Sequence, residues 1–293
     1  MFQSCADPSQ LEGLSWLLCY LTSGKHLMFY GSFFVVILLM LVVAPVALLF
    51  GFGGALAARS AHWPLRIFGK GYTSMVRGVP DIIFFLFVPV AMDQGLEWLR
   101  HLYKCPPSDQ PVWANGEFSV CPAAKLPLAT APDFYHEAYG FALAVVAFAI
   151  VFGAFAANVL HGAMNAVPRA QLETAEAYGM TASQVRRRVL IPQMWTYALP
   201  GLSNLWMILI KATPLLFLLG IEDIVYWARE LGATKSPIFD YPHPDWRLWY
   251  FLVLLAFYLG MTRISEIVLG RLTTRLARGQ ATMAGEAMRK AGA

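Results

Sequence analysis

Glu173 and Glu176 lie three residues apart in PRAQLETAEAYGMTASQVRRRVLIP, a polar and otherwise basic island from Pro168 to Pro192. Carboxylates at that spacing share one face of a helix. The same island closes with Arg186, Arg187 and Arg188, a cationic run. This is the chemistry of docking and surface attraction, set between two long apolar segments. Further ionisable or polar groups fall in or beside apolar runs: Asp81, Asn204, Lys211, Glu222 and Asp223. A charge at membrane depth is costly and marks a path or a pairing site.

Nothing in the sequence matches a catalytic pattern. It has no H-E-x-x-H, no G-x-S-x-G and no Walker G-x4-G-K-[ST]. The six histidines are scattered, and the four cysteines (Cys5, Cys19, Cys105 and Cys121) make neither C-x-x-C nor a Cys/His metal spacing. The expectation is a protein that is not an enzyme, with no metal and no directly bound cofactor.

The elements that must position these groups are apolar helices. The chain has 293 residues, of which 58% are hydrophobic and 14% charged, with a net charge of +4. Soluble domains carry about 25% charged residues. Several runs reach the ~20 residues that span a bilayer as helix. The fold class expected is all-α, a polytopic membrane protein with five spans. They are read as Phe29–Ala58, Pro80–Gly95, Ala138–Met164, Tyr197–Gly220 and Trp246–Gly270. Pro45 should kink the first, Pro89 stands in the middle of the second, and Pro200 and Pro214 should break the fourth. Gly51, Gly53 and Gly54 with Ala55, Ala57 and Ala58 give the first span a small-residue face for close packing. The basic residues flank spans without forming a stripe, which argues against nucleic acid.

Residues 1–28 form a leader, with no basic n-region or cleavage site of a removable signal peptide. Its LEGLSWLLCYL segment reads either as an interfacial helix, with Trp16 and Tyr20 at headgroup level, or as a loose leader. Residues 96–137 form a proline-rich insertion with little regular structure, 221–245 a second polar loop, and 281–293 a tail.

Lys and Arg set the orientation. The segments 59–77, 165–196 and 271–293 hold thirteen, and the segments on the opposite side hold six. That predicts the N-terminus outside, the C-terminus inside and the island in the cytoplasm. Cys105 and Cys121 then lie outside, where a disulfide can join them. Within the island, Pro168 opens one helix and Gly179 closes it. Ala175 and Ala177 keep that helix slim. A T-x-x-Q capping box at Thr181 and Gln184 opens a second helix, which Pro192 should stop.

Glu173-Thr174-Ala175, Gly179 and Val189-Leu190-Ile191-Pro192 keep the spacing of E-A-A-x3-G-x9-I-x-L-P. This resembles the signature of permease subunits of bacterial ABC importers. Gly71 to Asp81 contains Arg77-Gly78-Val79-Pro80-Asp81, similar to the R-G-x-P segment of polar amino-acid permeases of the histidine, lysine/arginine/ornithine and opine group. Tyr197–Gly201, Lys211–Pro214 and Gly220–Asp223 agree, with Pro214 departing from the usual Ala or Ser.

The resemblance covers residues 29–280 and implies a type I permease fold with a coupling loop at 165–196. Glu173, Thr174, Ala175, Glu176, Tyr178 and Gly179 would seat in a groove of an ATP-hydrolysing subunit. Arg77, Gly78, Pro80 and Asp81 form the permease motif, and Asn204, Lys211, Thr213, Glu222 and Asp223 are candidates for the substrate path. The implied partners are an ATPase dimer, a second related permease in a heterodimer, a periplasmic binding protein and membrane lipid. ATP and Mg would act through the ATPase. The implied place is the bacterial inner membrane, and the implied task is ATP-driven import of polar, basic amino acids or opines by alternating access. The alternative is an ion- or proton-coupled secondary transporter, which the sparse intramembrane charge and odd span number oppose.

Overall fold

The computed structural model describes residue 5 and residues 11–75, 80–106, 112–114, 116–128, 130–219 and 221–277. Ten α-helices follow in order: α1 (Gly13–Leu21), α2 (Gly24–Ala58), α3 (Trp63–Met75), α4 (Asp81–Lys104), α5 (Asp133–Ala166), α6 (Arg169–Ala177), α7 (Ala182–Val185), α8 (Ile191–Ala212), α9 (Ile224–Gly232) and α10 (Arg247–Ala277). Among the described residues, five helices are long and apolar enough to cross a membrane: Gly24–Ala58, Ile82–Lys104, Phe134–Ala166, Ala182–Phe217 and Arg247–Leu276. The fold is all-α and polytopic. A small hairpin, β1 (Trp113–Ala114) with β2 (Glu117–Phe118), pairs Trp113 with Phe118.

Several boundaries differ from the sequence reading. Pro200 does not break its span but lies inside the continuous helix α8, just as Pro45 lies inside α2 and Pro89 inside α4. Membrane helices tolerate proline because neighbouring groups re-satisfy the freed carbonyl. Pro192 does not stop a helix either. Residues Arg186–Leu190 form a π turn, in which the Ile191 N–H donates to the Arg186 carbonyl five residues back. The wider turn makes room for the proline ring and needs no proton from its nitrogen. The chain therefore stays helical from Ala182 through Ala212, then tightens into a 3-10 turn, Thr213–Leu219, around Pro214. The stretch 96–137 is also more ordered than its composition suggests. α4 runs on to Lys104, the hairpin follows, and α5 starts at Asp133. Cys105 and Cys121 are joined as a disulfide, and so are Cys5 and Cys19.

The chain forms two compact units. One comprises the described residues of 1–43, 80–148 and 212–258, the other those of 44–79, 149–211 and 259–277. Long helices such as α2 and α5 contribute to both.

In the first unit, Phe85 meets Phe148 at 4.7 Å and Phe33 meets Phe257 edge-on at 4.8 Å. Leu216, Ile224, Ala228 and Leu231 are fully or almost fully buried. The segment at Leu11–Leu21 folds as α1 from Gly13 onward, and its Tyr20 is 4% exposed. Tyr20 sits in a directed hydrogen-bond chain. His243 Nδ1 donates to the Pro244 carbonyl at 2.7 Å, so its Nε2 accepts from the Tyr20 hydroxyl at 3.1 Å. Tyr20 then accepts from Tyr250 at 2.9 Å, and Tyr250 accepts from His26 Nε2 at 2.6 Å. Ser23 completes the run at His26 Nδ1, 3.0 Å. Burial raises the Tyr20 pKa and keeps its proton available.

In the second unit, Ala55, Leu160, Ala163, Met164, Leu190, Met194 and Ala198 make a buried core. Small residues set its density. A Cβ on Gly51 would stand 2.7 Å from that of Ala156. Tyr72 of α3 reaches into this packing and donates to the Ile150 carbonyl at 2.6 Å.

Candidate functional site

The island folds as a capped helix, a sharp joint and a second capped helix. α6 spans Arg169–Ala177, with Pro168 as its N-cap. Its end is a Schellman closure: Met180 N–H donates to the Ala175 carbonyl at 3.2 Å and Gly179 N–H to that of Glu176 at 2.8 Å. Such a closure needs a left-handed residue, and Gly179 has φ of +84°. Thr181 and Gln184 form a reciprocal capping box: Gln184 N–H donates to Thr181 Oγ1 at 3.4 Å, and Thr181 N–H donates to Gln184 Oε1 at 2.8 Å.

Only Ala175 of the six sequence-chosen residues faces inward. Glu173, Thr174, Glu176, Tyr178 and Gly179 are exposed, Tyr178 at 84%. The Thr174 hydroxyl donates back to the Ala170 carbonyl at 2.7 Å, which keeps it close to the helix. Neither glutamate is ion-paired among the described residues. The result is a slim acidic face with an aromatic tip, held by three local devices.

Of the R-G-x-P segment, Arg77 and Gly78 lie outside the described residues. Pro80 is the N-cap of α4 and Asp81 its first residue.

The five path candidates separate. Thr213 and Asp223 belong to the first unit, and both bear on Tyr258: Thr213 bonds its hydroxyl at 3.0 Å, and Asp223 lies within electrostatic reach. Asp223 is fully buried and caps α9, accepting from Val225 N–H at 3.0 Å and Tyr226 N–H at 2.9 Å on Oδ1. Its Oδ2 is buried without a partner among the described residues. Burial pushes its pKa up to about 6, against the pull of the backbone N–H bonds. Glu222 beside it is exposed. The expected polar loop at 221–245 thus holds a helix, built on the buried cap of Asp223.

Asn204 and Lys211 belong to the second unit, two turns apart on one face of α8. Asn204 lines a cavity of about 400 Å³ with Glu266, Ser203 and Thr273. Lys211 is exposed. Tyr258 and Glu266 escaped the sequence reading. A tyrosine inside an apolar span carries a polar handle, and that signal was there.

Cys105, Cys121 and His101 bring two Sγ atoms and a ring nitrogen within 4.8 Å of one another. Both sulfurs are spent on the disulfide, and a metal would need thiolates. His101 Nδ1 instead accepts from the Cys121 N–H at 3.3 Å.

The chain is similar to several characterised permeases. It shares 30% identity over 223 residues with the arginine ABC transporter permease protein ArtQ of Escherichia coli (strain K12), covering 75% of this chain and 82% of that protein. It is 34% identical over 209 residues to the nopaline transport system permease protein NocQ of Agrobacterium fabrum, covering 70% and 78%. It is 29% identical over 235 residues to the histidine/lysine/arginine/ornithine transport system permease protein HisQ of Salmonella typhimurium, covering 80% and 86%. A solved structure described as "Crystal structure of an amino acid ABC transporter with histidines" shares the fold, with a TM-score of 0.60 at 20% identity over 85% of this chain and 94% of that one. The family model for the binding-protein-dependent transport system inner membrane component matches residues 51–278, taking in the island, α8 and α10, and the chain belongs to that family.

Proposed function

We propose that this chain is the permease subunit of an ATP-driven importer of polar, basic amino acids or opines. The observation that carries the coupling role is the geometry of α6. A short helix ends at a glycine joint and turns outward Tyr178 and two glutamates that have no ion-pair partner among the described residues. Such a helix fits a groove of a separate ATPase, with Glu173, Thr174, Glu176 and Tyr178 as the contact face. Ala175 is the packed side.

The ATPase dimer binds ATP and Mg; this chain binds neither. Closure of the ATPases displaces α6. The Schellman joint and the capping box transmit that push to α8, whose helix is continuous with α7 through the π turn. The relatives named for arginine and for histidine, lysine, arginine and ornithine support a substrate with a basic side chain, and nopaline shares the guanidinium. Asp223, whose Oδ2 has no partner among the described residues, and Glu222 beside it would attract that charge. Thr213, Asn204 and Lys211 complete the candidate path. A second related permease makes the pair a heterodimer, and a periplasmic binding protein delivers substrate. The chain sits in the bacterial inner membrane, N-terminus outside and C-terminus in the cytoplasm.

The test is reconstitution. The full chain should bring down an ATPase, and substrate uptake should require ATP. Gly179→Asp and Glu173→Lys should abolish coupled uptake while leaving membrane insertion intact. Uptake by the purified chain driven by a proton gradient without ATP would overturn the reading.

A further inference from the structure

A cavity of about 550 Å³ lies in the second unit where α2 ends and α3 begins. Its walls are Gly53, Leu56 and Ala57 of α2, the turn Arg59–Ala61, Leu65 of α3, Met164 of α5, and Arg186 and Leu190 of the π turn. Two guanidinium groups thus share one apolar-walled space. Asn165 Oδ1 accepts from Arg59 Nη1, which fixes that side chain and leaves its other N–H donors uncommitted to Asn165. Neither arginine is ion-paired among the described residues.

The charge around the cavity is one-sided over a long span of sequence. No Asp or Glu occurs between Glu12 and Asp81, between Glu137 and Glu173, or between Glu176 and Glu222. Those three stretches supply every wall of the cavity. Two cations are therefore gathered on walls that carry no carboxylate, and neither has an anionic partner among the described residues. The π turn contributes too, because its extra residue re-aims the helix at Arg186.

The surroundings say what kind of anion fits. α3 carries Trp63, Leu65, Ile67 and Phe68 all exposed, with Arg66 and Lys70 on the same short helix. That is the make-up of a helix lying in the membrane interface. Leu56, on the adjoining wall, is also exposed. A ligand here meets hydrocarbon on one side and guanidinium on the other.

We propose that the cavity walled by Arg59, Ser60, Arg186, Leu56 and Leu65 is a binding site for an anionic phospholipid, its phosphate on the two arginines and an acyl chain along Leu56 and Leu65. Basic pockets between spanning helices bind headgroups by the same physics. Arginine suits the task because its planar fork pairs phosphate oxygens two at a time. A lipid seated here bridges α2, α3, α5 and the π turn, next to the element proposed to carry the push from α6.

The experiment uses the full chain, delipidated in mild detergent, with phosphatidylglycerol or phosphatidylcholine titrated and counted by native mass spectrometry. One tightly held phosphatidylglycerol is expected, and no phosphatidylcholine. Each cation near an anionic headgroup favours it about fivefold, so R59Q/R186Q should weaken that lipid by roughly twenty- to thirtyfold. R187Q/R188Q removes the same amount of charge, from positions next to Arg186 that do not line the cavity, and should weaken it less than about threefold. The single variant R186Q, on the exposed surface, gives the same test at about fivefold if the double variant does not survive purification. Equal losses in both double variants would reduce the site to bulk surface charge and overturn the proposal. So would displacement of phosphatidylglycerol by millimolar inorganic phosphate, which would mark a soluble-phosphate site.

Discussion

The ring of Tyr72 fills the space that a side chain on Gly54 would occupy: a Cβ there would lie 2.6 Å from Tyr72 Cδ1 and 3.0 Å from the Ala157 Cβ. The hydroxyl of the same tyrosine is tied to the Ile150 carbonyl, so the ring has little freedom to retreat. Lipid offers no hydrophobic drive to pair helices, so close contact has to do that work. Gly54→Ala should therefore destabilise the chain by about 1–3 kcal/mol, as overpacking does. Tyr72→Ala alone also destabilises, but G54A/Y72A should cost less than the two added together, because the clash is gone. Thermal unfolding of the detergent-purified variants reads this directly. Strict additivity would mean that the two residues do not meet.

Asp223 predicts a pH dependence with a definite sign. Its carboxyl has a pKa raised to about 6 by burial, above the ordinary 3.8. Between those values the folded chain holds a proton that the unfolded chain has lost. Stability from this group is thus full below about pH 4, falls as pH rises to 6, and is flat above. The span corresponds to a loss on the order of 2–3 kcal/mol. Asp223→Asn keeps an oxygen to cap Val225 and Tyr226 but cannot ionise. It should abolish that slope and match or exceed the parent at pH 7. Under the import reading it should also weaken uptake of cationic substrate. A slope that survives in D223N would assign the titration to another group.

The island's joint can be tested without any partner. Gly179 sits at φ +84°, where a Cβ is strained although nothing lies within 4 Å of it. Gly179→Ala should cost about 1 kcal/mol through the backbone alone. Thr181→Ala removes the capping box and should cost about 1 kcal/mol as well. Hydrogen exchange should separate the two: G179A loosens the amides of Tyr178–Met180, whereas T181A loosens Gln184 and Val185. Both effects appearing over the whole of α8 would contradict a local joint.

How far the sequence carried the fold depends on which physics governed each segment. The spans were legible because twenty or more apolar residues have one use, and the caps at Gly179 and Thr181 because each is local chemistry. α9 was legible in principle and passed over. Asp223 is a good N-cap, and Ile224, Ala228 and Leu231 stand at i, i+4 and i+7, all buried. Pro192 misled because the proline rule assumes an unbroken α register, and the chain meets that proline at the start of α8, two residues past a π turn. The pairing of Cys5 with Cys19 and the bond of Thr213 to Tyr258 are long-range or leader contacts. No periodicity reports them. The cavity of Arg59 and Arg186 likewise needed the fold, since 127 positions of chain separate its two cations, counting from 59 to 186.

Tyr20 ties the leader to the loop before α10, and breaking that tie should be visible. Its hydroxyl is the middle link of the run from Ser23 to Pro244, and it also approaches the Leu231 carbonyl at 3.3 Å. Tyr20→Phe removes one oxygen and leaves both His243 Nε2 and the Tyr250 hydroxyl short of a partner. An unsatisfied buried polar group costs about 1–3 kcal/mol, so the variant should lose an amount in that range. The neighbouring Cys5–Cys19 disulfide closes a short loop, worth about 3 kcal/mol by chain entropy. Reducing it in the parent should leave α1 docked through Tyr20, whereas reducing it in Y20F should release α1. Hydrogen exchange over residues 13–21 and 233–246 is the measurement. Protection lost in both segments together, and only when both ties are cut, is the expected outcome. Loss in Y20F alone would make the hydrogen-bond chain the sole anchor, and protection that outlasts both cuts would place the anchor in the ring contacts of Trp16 with Tyr241 and Trp246.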